Sequence, residues 1–297
     1  MQWVADPLLL EQLRGAERLR GEPRSLRVAR HPGRRLLPLA LARRNDVLLR
    51  RVRTFYGAEL LVALPDPVAL SLYRYGSYDS ATSAFLLHAV REGDCVLDAG
   101  AHVGYFTLLA SRLAGAKGRV AAFEPNEFTR GLLRRNAVGS ANIEVVGRAV
   151  GAGAASTTFR VPEFADIAYA TLSDGDRIPG AAAQSWVAQP VELMSLDAYV
   201  AESGLTPSVI KLDVENNEEA ALDGMQEILA RDRPVLILEL GDIATEPGRS
   251  RGLLDRILSL GYAAFEATPE LAVRRHTPVE SYGYLNLMFV PAERASA

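Results

Sequence analysis

The chain has 297 residues, 48% of them hydrophobic and 23% charged, with a formal net charge of −3. This ordinary globular composition excludes a disordered chain, a collagen and a disulfide scaffold. The longest apolar run, Leu36 to Ala42, is well short of the roughly 20 residues that span a bilayer, so neither a membrane span nor a signal peptide is expected.

The single cysteine, Cys95, leaves no internal disulfide and fits a reducing cytoplasm. Charge is unevenly spread. Residues 1–55 carry thirteen Arg against five acids, and residues 56–297 carry twenty basic against thirty-one acidic side chains. A basic arm suits nucleic acid or anionic lipid. Yet no aromatic residue interleaves with the arginines between Arg14 and Arg53, as single-strand binding would want. The preferred reading is a solvated basic face against an acidic body, with no nucleic-acid partner.

In chain order, Leu9, Leu10, Leu13, Ala16 and Leu19 recur near a period of 3.6 and predict a helix over 6–20. Residues 21–46 are rich in Pro, Gly and Arg and read as irregular. Apolar residues on both sides of Tyr56-Gly57-Ala58 predict a β-hairpin between Asp46 and Leu64. Pro65-Asp66-Pro67 ends it, and a short helix to about Tyr73 follows. A further helix is expected over 79–91.

From Gly93 the rhythm becomes strand, helix, strand. Strands are expected at 95–99, 119–124, 143–146, 209–213, 234–240, 262–267 and 285–290. Helices are expected at 105–113, 127–138, 218–230 and 250–260. This alternation predicts a mostly parallel sheet with helices on both faces. The last two strands have no clear helix between them, so one of them should be reversed. Residues 151–195 break the rhythm, with strands at 157–161 and 190–193 around a polar loop. The chain therefore divides into an N-terminal extension, 1–75, and an α/β domain, 76–297, with an insertion at about 151–195.

The chemistry concentrates at strand ends. In Asp98-Ala99-Gly100-Ala101-His102-Val103-Gly104 a buried strand ends, Gly100 lets the chain turn, and Gly104 opens a helix whose N–H groups are unpaired. Glu124-Pro125-Asn126 closes the next strand, where a carboxylate accepts from two ribose hydroxyls. A dinucleotide fingerprint needs a glycine where His102 stands. Asp98 would repel a pyrophosphate and attract an ammonium, which favours S-adenosylmethionine over NAD.

The segment Asp98 to Thr107 resembles the first motif of FkbM-type methyltransferases, and Glu124-Pro125-Asn126 is similar to their ribose motif. Arg148-Ala149-Val150-Gly151 is similar to their adenine segment, and Leu196-Asp197 to a leucine-aspartate segment. Ile210-Lys211-Leu212-Asp213-Val214-Glu215, with Glu218 and Leu222-Asp223-Gly224, resembles their most characteristic block. Asn286 to Pro291 is similar to their terminal strand. The likeness covers residues 74–291.

It implies a Rossmann-like class I methyltransferase fold, with a seven-stranded, mostly parallel sheet and one reversed strand. It also implies S-adenosylmethionine-dependent O-methylation of a small-molecule hydroxyl, on a sugar, polyketide or glycolipid of bacterial secondary metabolism. The cofactor set is Tyr78, Asp98, Gly100, Ala101, His102, Gly104, Tyr105, Phe106, Thr107, Glu124, Pro125, Asn126, Ala149 and Asp213. Two positions depart from the pattern: His102 stands for Asn, and Asn216 for Gly. Asn tolerates a positive φ, so the second turn should survive.

Methyl transfer to a hydroxyl gains from positioning and from a base. The base candidates are Asp213, Glu215, Glu239 and His102, with Asp213 preferred and His102 second. Asp213, Glu215, Glu239 and Asp242 carry oxygen donors of the kind Mg²⁺ takes, but no metal ligand is assigned. His31, His88, His102 and His276 lack zinc spacing. Tyr73, Tyr75, Tyr78 and Asp79, with Phe164, Asp166, Tyr169 and Trp186, are candidates for pocket walls. The alternatives are an NAD-dependent oxidoreductase and a non-catalytic nucleoside-binding protein. The apolar first helix is compatible with a homodimer.

Overall fold

A computed structural model describes residues 5–23, 46–162, 186–214, 216–242 and 248–295, with positions 25, 33, 37, 38, 40 and 41. The pocket-wall candidates Phe164, Asp166 and Tyr169, the side chain of Trp186, the base candidate Glu215, and His31 lie outside what is described. Helix α1 spans Pro7–Gly21, and Asp6 caps it by accepting from the N–H groups of Leu8 and Leu9. The hairpin is β1, Leu48–Arg53, and β2, Glu59–Leu64, paired antiparallel. It is followed by α2, Pro67–Tyr75, and α3, Ser80–Ala89.

The remaining elements run β3 Cys95–Ala99, α4 Tyr105–Ala114, β4 Arg119–Phe123, α5 Glu127–Asn136, β5 Ile143–Val146 and β6 Ala149–Val150. Next come β7 Ala155–Pro162, β8 Trp186–Met194, α6 Leu196–Ser203, β9 Val209–Leu212, α7 Glu218–Asp223 and α8 Gln226–Arg231. The chain ends with β10 Val235–Leu240, α9 Arg249–Ser259, β11 Tyr262–Ala267, β12 Val273–Arg275, β13 Leu285–Pro291 and α10 Ala292–Ala295.

The main sheet has the order β12-β11-β13-β10-β9-β3-β4-β5. From β5 to β10 neighbouring strands are parallel, and β13 is reversed between β10 and β11. The seven expected strands with one reversed are thus present. The three-residue strand β12 adds an eighth, antiparallel to β11. It was not expected because three residues carry too little pattern to read. β6, β7 and β8 form a separate small sheet.

The period of two sorts each strand onto two cores. Val96, Val120, Val209, Val235, Ile237, Met288 and Val290 face α1, the hairpin and α2–α4. Leu97, Ala121, Ile210, Leu212, Leu236, Leu238, Leu287 and Phe289 face α6–α9. The extension is sewn onto the first core: Leu9, Leu13, Tyr56, Leu60 and Leu64 are buried with the sheet residues. Asn136 binds β2 as a strand would. Its Oδ1 accepts from the Leu61 N–H at 2.7 Å, and its Nδ2 donates to the Leu61 carbonyl at 3.0 Å. On β1, Arg50, Arg51 and Arg53 are exposed.

Two departures have local causes. The helix expected over 218–230 is two helices, broken at Gly224-Met225. A Cβ on Gly224 would lie 2.1 Å from the Gly151 carbonyl oxygen, so the chain bends there to pack backbone on backbone. Helix α6 was not expected. Ser195 caps it by accepting from the Ala198 N–H, and its Asp197 accepts from the N–H groups of Glu227 and Ile228 at the start of α8. The segments 148–151, 196–197 and 222–224 therefore meet as scaffold: the Asp197 N–H donates to the Gly224 carbonyl and the Gly151 N–H to the Met194 carbonyl.

Candidate active site

The strand order turns back between β3 and β9, where an open α/β sheet leaves a crevice at its carboxyl edge. Gly100 sits at this point with φ +79°, and its Cα lies against the chain of β9. A Cβ there would be 1.8 Å from the Asp213 carbonyl oxygen. His102 follows at φ +49° and Gly104 at φ +92°. Both peptide N–H groups of Gly100 and Ala101 donate to the Phe123 carbonyl at 3.0 Å. Gly104 opens α4 without a side-chain cap.

Glu124 holds this loop. Its Oε2 accepts from the His102 N–H and its Oε1 from the Asn126 N–H, each at 2.8 Å. Burial raises the pKa of its carboxyl, partly offset by His102 and the two N–H groups. The Pro125 carbonyl accepts from Arg130 at 2.7 Å and Gln189 at 2.9 Å. Asn126 caps α5 through Oδ1, which accepts from the Thr129 N–H. The His102 Nδ1 and Asn126 Nδ2 atoms are buried and have no hydrogen-bond partner among the described residues. Ala149 is buried beside Phe159 and Val191.

The same face of the sheet carries polar side chains at the ends of β3, β9, β10 and β13, in phase with the apolar residues below them. Asp98 is 1% exposed. Its Oδ2 accepts from the Thr107 hydroxyl at 2.6 Å and its Oδ1 lies 3.2 Å from the Lys211 Nζ. Lys211, 3% exposed, also donates to the Gly100 carbonyl at 3.0 Å and lies 3.5 Å from the Asp213 Oδ2. Its Nζ stands 5.3 Å over the Phe106 ring. Burial works against the ammonium, but Asp98 and Asp213 outweigh it and raise its pKa.

Lys211 is the residue that sequence reasoning missed. Asp98 was expected to await a cofactor ammonium, and the structure gives it a resident one. The signal was present: a lysine stands in the buried run Val209-Ile210-Lys211-Leu212, in a chain with one other lysine, Lys117.

Asp213 keeps 29% of its side chain exposed and faces the crevice side of this cluster. Asp79, at φ 33°, caps α3 and accepts from Asn286 Nδ2 at 2.9 Å. Burial raises its pKa, and so does the nearby Asp213. Glu239 stands opposite Asn286 in the register of β10 and β13. Tyr78 packs on Tyr105 and Phe106 at centroid distances of 6.5 and 6.2 Å. The Tyr105 ring turns inward: its hydroxyl is 3.1 Å from the Ser83 Oγ, and its carbonyl accepts from Tyr56. Asn216 has φ 71°, as its place in the pattern demanded.

No group of three or more His, Cys, Asp or Glu suits a metal among the described residues. Asp242 is occupied by the N–H groups of Ser250 and Tyr282 and the Ser281 hydroxyl, which hold its pKa down at about 2. Its contribution to stability is therefore full above about pH 4 and is lost as pH falls through about 2. Urea midpoints measured from pH 5 to 2 should fall more steeply for the wild type than for Asp242→Ala. Parallel curves would remove this carboxylate from the acid response.

No helix among the described residues is long and apolar enough to cross a membrane. Comparison with curated proteins gives no match. Among solved structures, an FkbM methyltransferase from Methylobacillus flagellatus is 16% identical over 88% of this chain, with a TM-score of 0.41; the chain spans 59% of that protein. A SAM-dependent O-methyltransferase from Thermotoga maritima is 14% identical over 81% of this chain and 77% of its own, with a TM-score of 0.42. Fibrillarin from Aeropyrum pernix, solved with natively bound S-adenosyl-L-methionine, is 12% identical over 82% of this chain and 99% of its own, with a TM-score of 0.43. Residues 98–270, more than half of the chain, match the model of the methyltransferase FkbM domain, and the chain belongs to the FkbM methyltransferase family.

Proposed function

We propose that this protein transfers the methyl group of S-adenosylmethionine to a hydroxyl of a small molecule, such as a sugar, polyketide or glycolipid acceptor. The observation that carries the reading is the pairing of the glycine loop with Glu124 at the point where the strand order turns back. Glu124 spends one lone pair of each oxygen on loop N–H groups. The remaining lone pairs suit two ribose hydroxyls. Gly100 and Gly104 leave room for close approach, and the buried His102 Nδ1 and Asn126 Nδ2 await polar partners. With Asp98 paired to Lys211, a pyrophosphate still finds Asp213 and Glu124 around this loop, which disfavours NAD.

When bound, S-adenosylmethionine supplies a methyl group made electrophilic by a sulfonium. The chain's own part is to place the acceptor and take its proton. Asp213 faces the crevice and accepts a hydrogen bond from the acceptor hydroxyl. Asp79, whose basicity burial raises, stands ready to receive the proton with Asn286 orienting it. Glu239 is the outer acidic side chain of the same edge. The hairpin and the start of α2 serve as a wall of this site, since Tyr56 donates to the Tyr105 carbonyl and Asp66 lies beside His102.

Calorimetric titration with S-adenosylmethionine, S-adenosylhomocysteine and NAD tests the reading. The two adenosyl compounds should bind and NAD should stay silent. Glu124→Ala should weaken both adenosyl compounds by about tenfold or more, the worth of hydrogen bonds to a charged group. NAD binding alone, or an unchanged affinity in Glu124→Ala, would overturn it.

A further inference from the structure

His102 is an odd residue for its place. A non-glycine at φ +49° carries backbone strain that the surrounding structure has to hold. It is held on two sides. Its peptide N–H donates to Glu124 at 2.8 Å. Its ring Nε2 lies 3.9 Å from the Oδ2 of Asp66. Asp66 comes from the extension, is 3% exposed, and is itself fixed by the Ala69 N–H at 2.9 Å. The other ring nitrogen, Nδ1, is buried and without a partner among the described residues. A buried polar atom left unpaired is costly, so this one points to a ligand.

The charges around it narrow the choice of ligand. Facing the loop are the carboxylates of Asp66, Asp98, Asp213 and Glu124. The cations are Lys211, already committed to Asp98, Asp213 and the Gly100 carbonyl, and Arg130, which donates to the Glu124 and Pro125 carbonyls. The amino-acid end of the cofactor brings an ammonium and a carboxylate. The ammonium has acidic partners to choose from. The carboxylate needs a donor, and the imidazolium form, with an N–H on each nitrogen, supplies one from Nδ1 while its Nε2–H faces Asp66. We propose that His102, backed by Asp66, binds the amino-acid carboxylate of the cofactor through Nδ1–H. This rests on the reading that the site takes S-adenosylmethionine. It makes Asp66 a positioning residue that the N-terminal extension lends to the cofactor site.

The test compares two ligands on the full chain. S-Adenosylhomocysteine carries the amino-acid group; 5′-methylthioadenosine keeps the adenosine and the sulfur but lacks it. His102→Gly removes the ring at a φ that glycine adopts freely, and loop loosening affects both ligands alike. S-Adenosylhomocysteine should weaken by about tenfold or more, and 5′-methylthioadenosine by less than about twofold. His102→Asn, which keeps a donor and tolerates the turn, should recover part of the loss. Asp66→Asn keeps the helix cap and should show a smaller loss confined to S-adenosylhomocysteine. Equal losses for the two ligands, or none for either, would overturn the assignment. Wild-type protein that binds NAD but neither adenosyl ligand would overturn the cofactor reading as well, so the two failures are distinguishable.

Discussion

Lys211→Met is expected to cost about 3–5 kcal/mol of stability at neutral pH, the scale of breaking a buried ion pair from one side. The substitution keeps the length of the side chain and removes its charge. Asp98 would then be a buried carboxylate with only the Thr107 hydroxyl on it. The raised pKa of Lys211 means that its contribution is full below the ordinary lysine value of about 10.4 and is lost only as pH rises through its folded value. Adding Asp98→Asn to Lys211→Met should recover more than half of the loss, which a double-mutant cycle in urea measures. If Lys211→Met stays within about 1 kcal/mol of wild type, the range of an exposed pair, Lys211 does not hold the buried Asp98 carboxylate in place.

Gly100→Ala should be the most damaging addition of a single methyl group among the described glycines. The new Cβ would meet the Asp213 carbonyl at 1.8 Å. Both partners are backbone, so relief requires β3 and β9 to separate at the crevice. The positive φ adds about 1 kcal/mol on its own. Gly104→Ala is the control. Its φ of +92° carries similar strain, but its Cβ would meet the tip of the Leu133 side chain at 2.5 Å, which a rotamer change can relieve. Gly100→Ala should therefore fail to fold or lose S-adenosylhomocysteine binding by more than about 100-fold, roughly 2.7 kcal/mol. Gly104→Ala should fold and bind with a smaller loss. Equal effects of the two would contradict the close approach of the two strand ends.

Much of the fold was legible because its signals are local. Cys95–Ala99, Ile143–Val146 and Tyr262–Ala267 begin and end where their composition says. The loop from Asp98 to Gly104 and its partner Glu124 were legible too, since each stands at a strand end. What escaped depends on distant pairing. Asp98 and Lys211 are joined through space across β3 and β9, and nothing near either residue announces the other. Asp66 reads as one polar residue between two prolines, with no sign of His102. Gly224 and Asp197 read as motif and turn out to be joinery, because their partners, Gly151 and the start of α8, lie in other segments. The partners of Asp242 escaped for the same reason: the groups that occupy it come from α9 and the loop before β13.

The bond between Asn136 and Leu61 also bears on solubility. A two-stranded ribbon has two open edges, and each is a template on which another chain can grow. Asn136 presents an amide in place of a neighbouring strand, so the β2 edge is closed at its centre. The β1 edge keeps Arg50, Arg51 and Arg53 exposed, and like charges on that edge repel a second copy laid beside it. Asn136→Leu would unmask the first edge, and it would also remove the bond from Asn136 Nδ2 to the Val103 carbonyl of the glycine loop. Its signature should be concentration-dependent light scattering on mild heating, growing with salt as the arginines are screened.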